Sequence, residues 1–139
     1  MGGVNFPVPY HLIGHSDADV LIHSLIDGLL GAMALPDIGT MFPDTEPEHK
    51  DANSSDLLQI VVQRIKRSGW RVAQTDSTVV TDIPHLAPFI PSIRENLATT
   101  LKITPEFVGL KAKTTEGTRV ALVRKSIAAF SIALLVSDR

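Results

Sequence analysis

With 139 residues, 44% of them apolar, the chain is long enough for one domain with a core of its own. A net charge of −2 leaves no basic footprint for a nucleic acid, and the absence of cysteine excludes disulfides and thiolate metal sites. Any metal would have to use His, Asp or Glu, and for any phosphate, metal ions and backbone N–H groups would have to do most of the charge work.

The first dozen residues, with Pro7 and Pro9, read as a turn followed by an extended segment. No charged leader followed by an apolar run is present there, so no signal peptide is visible. The stretch His15-Ser16-Asp17-Ala18-Asp19-Val20-Leu21-Ile22-His23 follows. Ser16 with Asp19 has the spacing of a capping box, which starts a helix at or just after Ser16 and carries it from about Asp17 to Leu35, where Pro36 stops it. Asp19, His23 and Asp27 then share one helical face. His15 lies ahead of the helix, where free N–H groups favour anions. A ligand-type histidine beside an anion pocket suggests phosphate chemistry; a well-capped surface helix explains the same pattern. Gly28 and Gly31 are costly inside this helix, and a close-packed neighbour is one explanation.

Pro36 to Pro47 is expected to be a loop, rich in carboxylates. A second helix, from Ser54 or Ser55 to Arg67, presents Leu57, Leu58, Val61, Val62 and Ile65 on one face and ends at Gly69. Arg71 to Thr81 reads as a strand, Asp82 to Pro88 as a loop and Ser92 to Leu101 as a third helix. Two more strands are expected at Phe107 to Thr114 and Ile127 to Val136. The last is apolar on both faces, as suits a strand buried on both sides, and too short to cross a bilayer. The sum is an α/β (α+β) domain spanning 1–139, one small mixed sheet against about three helices.

The nine residues His15 to His23, Pro36-Asp-Ile-Gly39, Phe42-Pro-Asp-Thr45 and Lys111-Ala-Lys-Thr-Thr-Glu116 occur in this order and spacing. Together they resemble the 2-C-methyl-D-erythritol 2,4-cyclodiphosphate synthase family of the non-mevalonate route to isoprenoid precursors. The resemblance implies a metal-dependent lyase that cyclises 4-diphosphocytidyl-2-C-methyl-D-erythritol 2-phosphate and releases CMP. No protein nucleophile is needed, since the substrate's own 2-phosphate attacks the β-phosphorus; proximity and charge neutralisation carry the rate. It also implies a homotrimer with sheets facing the three-fold axis, sites between subunits, and a bacterial cytoplasmic or plastid setting, with neither nucleic acid nor membrane as partner.

Residue by residue, the resemblance makes His23 a ligand to Zn²⁺ or another divalent transition metal. It makes His15 and Ser16 phosphate contacts, His15 near the transferring group. Asp37, Ile38 and Gly39 meet the methylerythritol, continued by Phe42, Pro43, Asp44, Thr45 and Glu46. Thr81, Asp82, Ile83, Pro84, His85, Leu86 and Ala87 form the cytosine and ribose pocket, contributed across the interface. Lys113, Thr114, Thr115 and Glu116 form the diphosphate segment, with Thr114 at the transition state and Glu116 on Mg²⁺ or Mn²⁺.

The chain departs from the family in three places. An Asp-x-His pair of zinc ligands is expected on a strand upstream of Gly2, and the sequence begins at Met1. The family's Phe and Arg between the last two strands fall on Val120 and Val123, with Arg124 one position away. His85 replaces a Lys. A truncated or degenerate member without activity, or a cytidine-nucleotide-binding module without chemistry, are the alternatives.

Overall fold

The computed structural model describes residues 1–7, 17–49, 51–117 and 126–139. Pro9, His15, Ser16, Val120, Val123 and Arg124, named above, lie outside them. In chain order the elements are α1 (Val20–Ala32), α2 (Ile38–Met41), α3 (Ser54–Arg67), β1 (Trp70–Val80), α4 (Ile90–Leu101), β2 (Val108–Lys113) and β3 (Ala128–Ser137). Single 3₁₀ turns at Ala87–Phe89 and Pro105–Phe107 precede α4 and β2.

The sheet has the order β2-β1-β3. β1 runs parallel to β2, pairing Thr75 with Val108 through Val80 with Lys113, and antiparallel to β3. Parallel neighbours need a crossover, and α4 supplies it. Each long helix covers one strand: α1 lies over β3, α3 over β1 and α4 over β2. Leu21, Ile22, Leu25, Ile26 and Leu29 of α1 interlock with Leu57, Leu58, Val61 and Ile65 of α3 and with Ile93, Leu97 and Leu101 of α4. Helical spacing of 3 and 4 is what puts these side chains on one stripe.

Four expectations from sequence are corrected. α1 begins at Val20, because Asp19 is itself the N-cap, accepting from Ile22 N at 3.2 Å. The Asp19 carboxylate also accepts from Gly2 N and Gly3 N, both at 2.9 Å, so it is buried structure rather than part of a helical face shared with His23 and Asp27. The loop after Pro36 contains the one-turn helix α2, capped by Asp37. Finally, β3 is covered on one face only. Ala129, Ser131, Ala133 and Leu135 face α1, whereas Phe130, Ile132 and Leu134 are 67%, 71% and 55% exposed.

Small residues on the inner face of β3 let α1 come close. A Cβ on Gly28 would stand 3.0 Å from the Ser131 carbonyl oxygen, which is backbone and cannot swing away. Ser77 Oγ, Ser131 Oγ and Ser24 Oγ form a chain of 2.8 and 2.7 Å contacts that ends at the Leu21 carbonyl, 2.9 Å from Ser24 Oγ. This chain fixes the helix against the sheet. Gly31 has open space around its Cβ position. Gly28→Ala is therefore expected to lose about 1–2 kcal/mol despite its better helix propensity, and Gly31→Ala to gain about 0.5–1 kcal/mol. Urea unfolding of the two variants checks the opposite signs.

Candidate functional site

Three groups of candidate residues are placed by three different elements. The first sits where β1 and β2 end. Because the strands are parallel, their C-terminal ends lie side by side and both chains leave in the same direction. Thr81 N donates to the Lys113 carbonyl at 2.9 Å, extending the ladder by one residue. Asp82 then accepts from both Thr115 N, at 2.9 Å, and Thr115 Oγ1, at 2.8 Å. The sequence-predicted cytosine loop and diphosphate segment are thus clamped together in one chain.

Within this group the side chains divide by exposure. Thr81 is buried, its hydroxyl donating to the Ile83 carbonyl, and Leu86 is buried in the core, so each offers a ligand only its backbone. Ile83 is 53% exposed and His85 is exposed beside it, with Pro84 and Ala87 flanking them. Lys113, Thr114 and Glu116 are exposed. Thr114 Oγ1 accepts from Glu116 N at 3.3 Å, and Glu116 and Gly117 both have left-handed backbone, φ 53° and 71°. The turn presents a cation, a hydroxyl and a carboxylate at exposed positions 113, 114 and 116, a set suited to phosphoryl oxygens and a hard cation. Lys111 is not part of it; its ammonium pairs with Asp76 on the outer sheet face.

A second group surrounds α2. Asp27 Oδ1 accepts from Ile38 N at 2.8 Å, tying the start of α2 to α1. Asp37 accepts from Thr40 N at 2.9 Å; the Thr40 hydroxyl and N–H hold its carboxyl below the ordinary value of 3.8. Asp37 and Gly39 are exposed and Ile38 half-buried. Phe42 is buried, its ring edge-on to His49 at 5.4 Å, and His49 Nε2 lies 3.2 Å from Glu46 Oε2. Phe42 therefore anchors the segment, leaving Asp44 and Thr45 exposed and Pro43 half-buried.

The third group is at the start of α1. His23 Nε2 is 2.8 Å from Ser54 Oγ, and Ser54 is hydrogen-bonded to Asp17 through both its hydroxyl and its backbone N–H, the latter at 3.0 Å. Burial pushes the Asp17 carboxyl up, but the Ser54 hydroxyl and N–H and the Asp19 N–H outweigh it and hold the group below 3.8. Ala18 adopts left-handed φ of 54°, which lets Asp17 turn to Ser54 while Asp19 turns to the Gly2-Gly3 turn. Sequence reasoning missed the roles of Asp17, Ser54 and Asp27. Asp17 lay inside the histidine motif, whereas nothing local marks Ser54.

Among the described residues no group of three or more His, Asp or Glu side chains could hold a metal ion. The described residues do not fit a zinc centre. Two concavities, of about 570 Å³ beside Trp70 and Phe107 and about 640 Å³ between α1 and β3, include none of the residues 81–87 or 113–116. Among the described residues no helix is long and apolar enough to cross a membrane.

The sequence model of the YgbB family matches residues 1–136. The chain belongs to the YgbB family. Similar proteins include the 2-C-methyl-D-erythritol 2,4-cyclodiphosphate synthase of Syntrophomonas wolfei, 49% identical over 97% of this chain and 86% of that protein. The Pseudomonas putida enzyme of the same name is 46% identical over 98% of this chain and 87% of its own. Among solved structures, a synthase of this name bound to CDP superimposes with a TM-score of 0.89 at 30% identity, covering 97% of this chain and 87% of that one. The YgbB match spans all three groups, the Asp82–Thr115 clamp included.

That clamp gives a direct test. A double-mutant cycle on Asp82→Ala and Thr115→Val is expected to show a coupling energy of about 1–2 kcal/mol in thermal or urea unfolding. Additive effects would mean that the two loops are held together by other contacts.

Proposed function

We infer that the chain catalyses the cyclisation of 4-diphosphocytidyl-2-C-methyl-D-erythritol 2-phosphate to 2-C-methyl-D-erythritol 2,4-cyclodiphosphate, releasing CMP. The observation that carries this reading is the Asp82–Thr115 clamp, which joins a base-sized loop to a phosphate-type turn at the ends of two parallel strands. The family match supplies the reaction.

In this reading residues 81–87 hold the cytidine. The exposed Ile83 side chain gives the base an apolar surface, the loop backbone reads its edge, and His85 supplies a donor near the ribose. Lys113, Thr114 and Thr115 take the diphosphate, with the Thr114 hydroxyl donating to a phosphoryl oxygen as charge develops on it. Glu116 is the carboxylate this turn offers to Mg²⁺ or Mn²⁺, an ion that takes its remaining ligands from phosphates and water and neutralises their charge. Asp37 to Gly39 and Phe42 to Glu46 face the methylerythritol, where Asp44 accepts from its hydroxyls. His15 and Ser16 take the 2-phosphate. His23 is the ligand this chain would offer to Zn²⁺ or a similar ion.

The assembly we propose is a homotrimer. Phe130, Ile132 and Leu134 form an apolar stripe on the outer sheet face, the kind of surface another chain covers. With that face turned to a three-fold axis, one chain's nucleotide side meets a neighbour's His23 and Asp37 side, closing a site that a single chain leaves open. The relatives named above are bacterial, and the setting proposed is the bacterial cytoplasm or a plastid.

Phosphorus NMR of the CDP-linked substrate with Zn²⁺ and Mg²⁺ is expected to show CMP and the cyclic diphosphate forming together. Thr114→Val should lower kcat about 100-fold. Saturable CDP binding without either product would instead identify a nucleotide-binding module or a degenerate member.

A further inference from the structure

We propose that Asp27 is a positioning residue: its carboxylate holds the Asp37-Ile38-Gly39 segment in place for the sugar half of the substrate and has no part in binding the nucleotide half. The inference rests on the cyclisation proposed above and names what orients one side of its site.

α2 is a single turn of four residues, too short to persist on its own. Its backbone makes two hydrogen bonds, Met41 N to the Asp37 carbonyl at 3.0 Å and Phe42 N to the Ile38 carbonyl at 2.8 Å. The Asp37 carboxylate adds a third by accepting from Thr40 N. All three lie within the segment and leave its place on the protein unset. Among the described residues, the one hydrogen bond that joins residues 37–41 to another element runs from Ile38 N to Asp27 Oδ1, at 2.8 Å and across 11 positions of sequence. Ile38 and Met41 rest half-buried on the core and decide which side of the turn faces inward. Apolar contact has no direction, so the turn's rotation and its distance from α1 fall to the hydrogen bond.

Asp27 is exposed on α1, one turn beyond His23, and this is its one hydrogen bond among the described residues. A carboxylate at the first N–H of a helix is favourably placed. Its partner is a backbone N–H, so Asp27 acts here only as an acceptor. An amide oxygen can take over that task and a methyl group cannot. The nucleotide side is held separately, by Asp82 and Thr115 at the ends of β1 and β2. Loss of Asp27 therefore separates the two halves of the substrate.

The test compares Asp27→Ala and Asp27→Asn with the native protein, all checked for folding by near-ultraviolet circular dichroism. In Asp27→Ala, KM for the CDP-linked substrate should rise about tenfold while kcat falls by less than about threefold. The affinity for CDP, which lacks the sugar half, should stay within about twofold of native by calorimetry. Asp27→Asn should bring KM back to within about threefold of native. The Ile38 amide should exchange slowly with solvent in the native protein and in Asp27→Asn, and about tenfold faster in Asp27→Ala. An unchanged KM in folded Asp27→Ala overturns the proposal, as does an equal loss of CDP affinity. Asp27→Asn as impaired as Asp27→Ala also overturns it, since the carboxylate would then be needed for more than accepting one hydrogen bond. If Asp27→Ala fails to fold, the native Ile38 amide decides: exchange at the rate of an open peptide overturns the proposal. Native protein without turnover contradicts the proposed cyclisation, and the Ile38 amide then judges the role of Asp27 alone.

Discussion

Parallel pairing of β1 with β2 is the constraint on which the rest of the molecule depends. Antiparallel neighbours could be joined by a tight turn at one end, and their exits would then lie at opposite ends. Parallel neighbours force a crossover, here through α4, whose Ile93, Leu97 and Leu101 close the core over β2. The same geometry sets Val80 beside Lys113 and sends both chains out together. Asp82 and Thr115 can meet only because of that register. The site is thus a consequence of sheet topology first and of side-chain identity second.

The opposite edge of the sheet is governed by how near α1 comes to β3. Gly28 and the small inner residues of β3 permit a backbone approach, and three serine hydroxyls in series hold the helix at one rotation. His23 and Asp27 are placed by that rotation, since they are carried on the same helix. The large apolar residues of β3 are displaced to the outer face. The edge strand thus keeps small residues against the helix and leaves Phe130, Ile132 and Leu134 exposed on the other side.

Much of this was legible in the sequence. The long helices and the strands fall within a few residues of their expected places, because amphipathic spacing and a helix stop such as Gly69 are local signals. The motifs also carried the family. What escaped the sequence was long-range. Asp19 fits a capping box at the third helical position until the Gly2-Gly3 turn, distant along the chain, claims its carboxylate and makes it the cap. β3 looked buried on both faces because hydrophobicity does not reveal whether the covering surface belongs to the same chain. Ser54 gave no sign at all, since its partners Asp17 and His23 lie on a different element.

The central claim is that one chain supplies the nucleotide side and another the His23 side of each site. Complementation tests it most directly. Two variants, His23→Ala and Asp82→Ala, are each expected to be nearly inactive alone. Co-expressed and purified together through different tags, they should regain a substantial part of native turnover, because some sites in the mixed assembly draw both intact halves from different chains. Activity of the mixed assembly no greater than the sum of the two variants would contradict a site shared between copies.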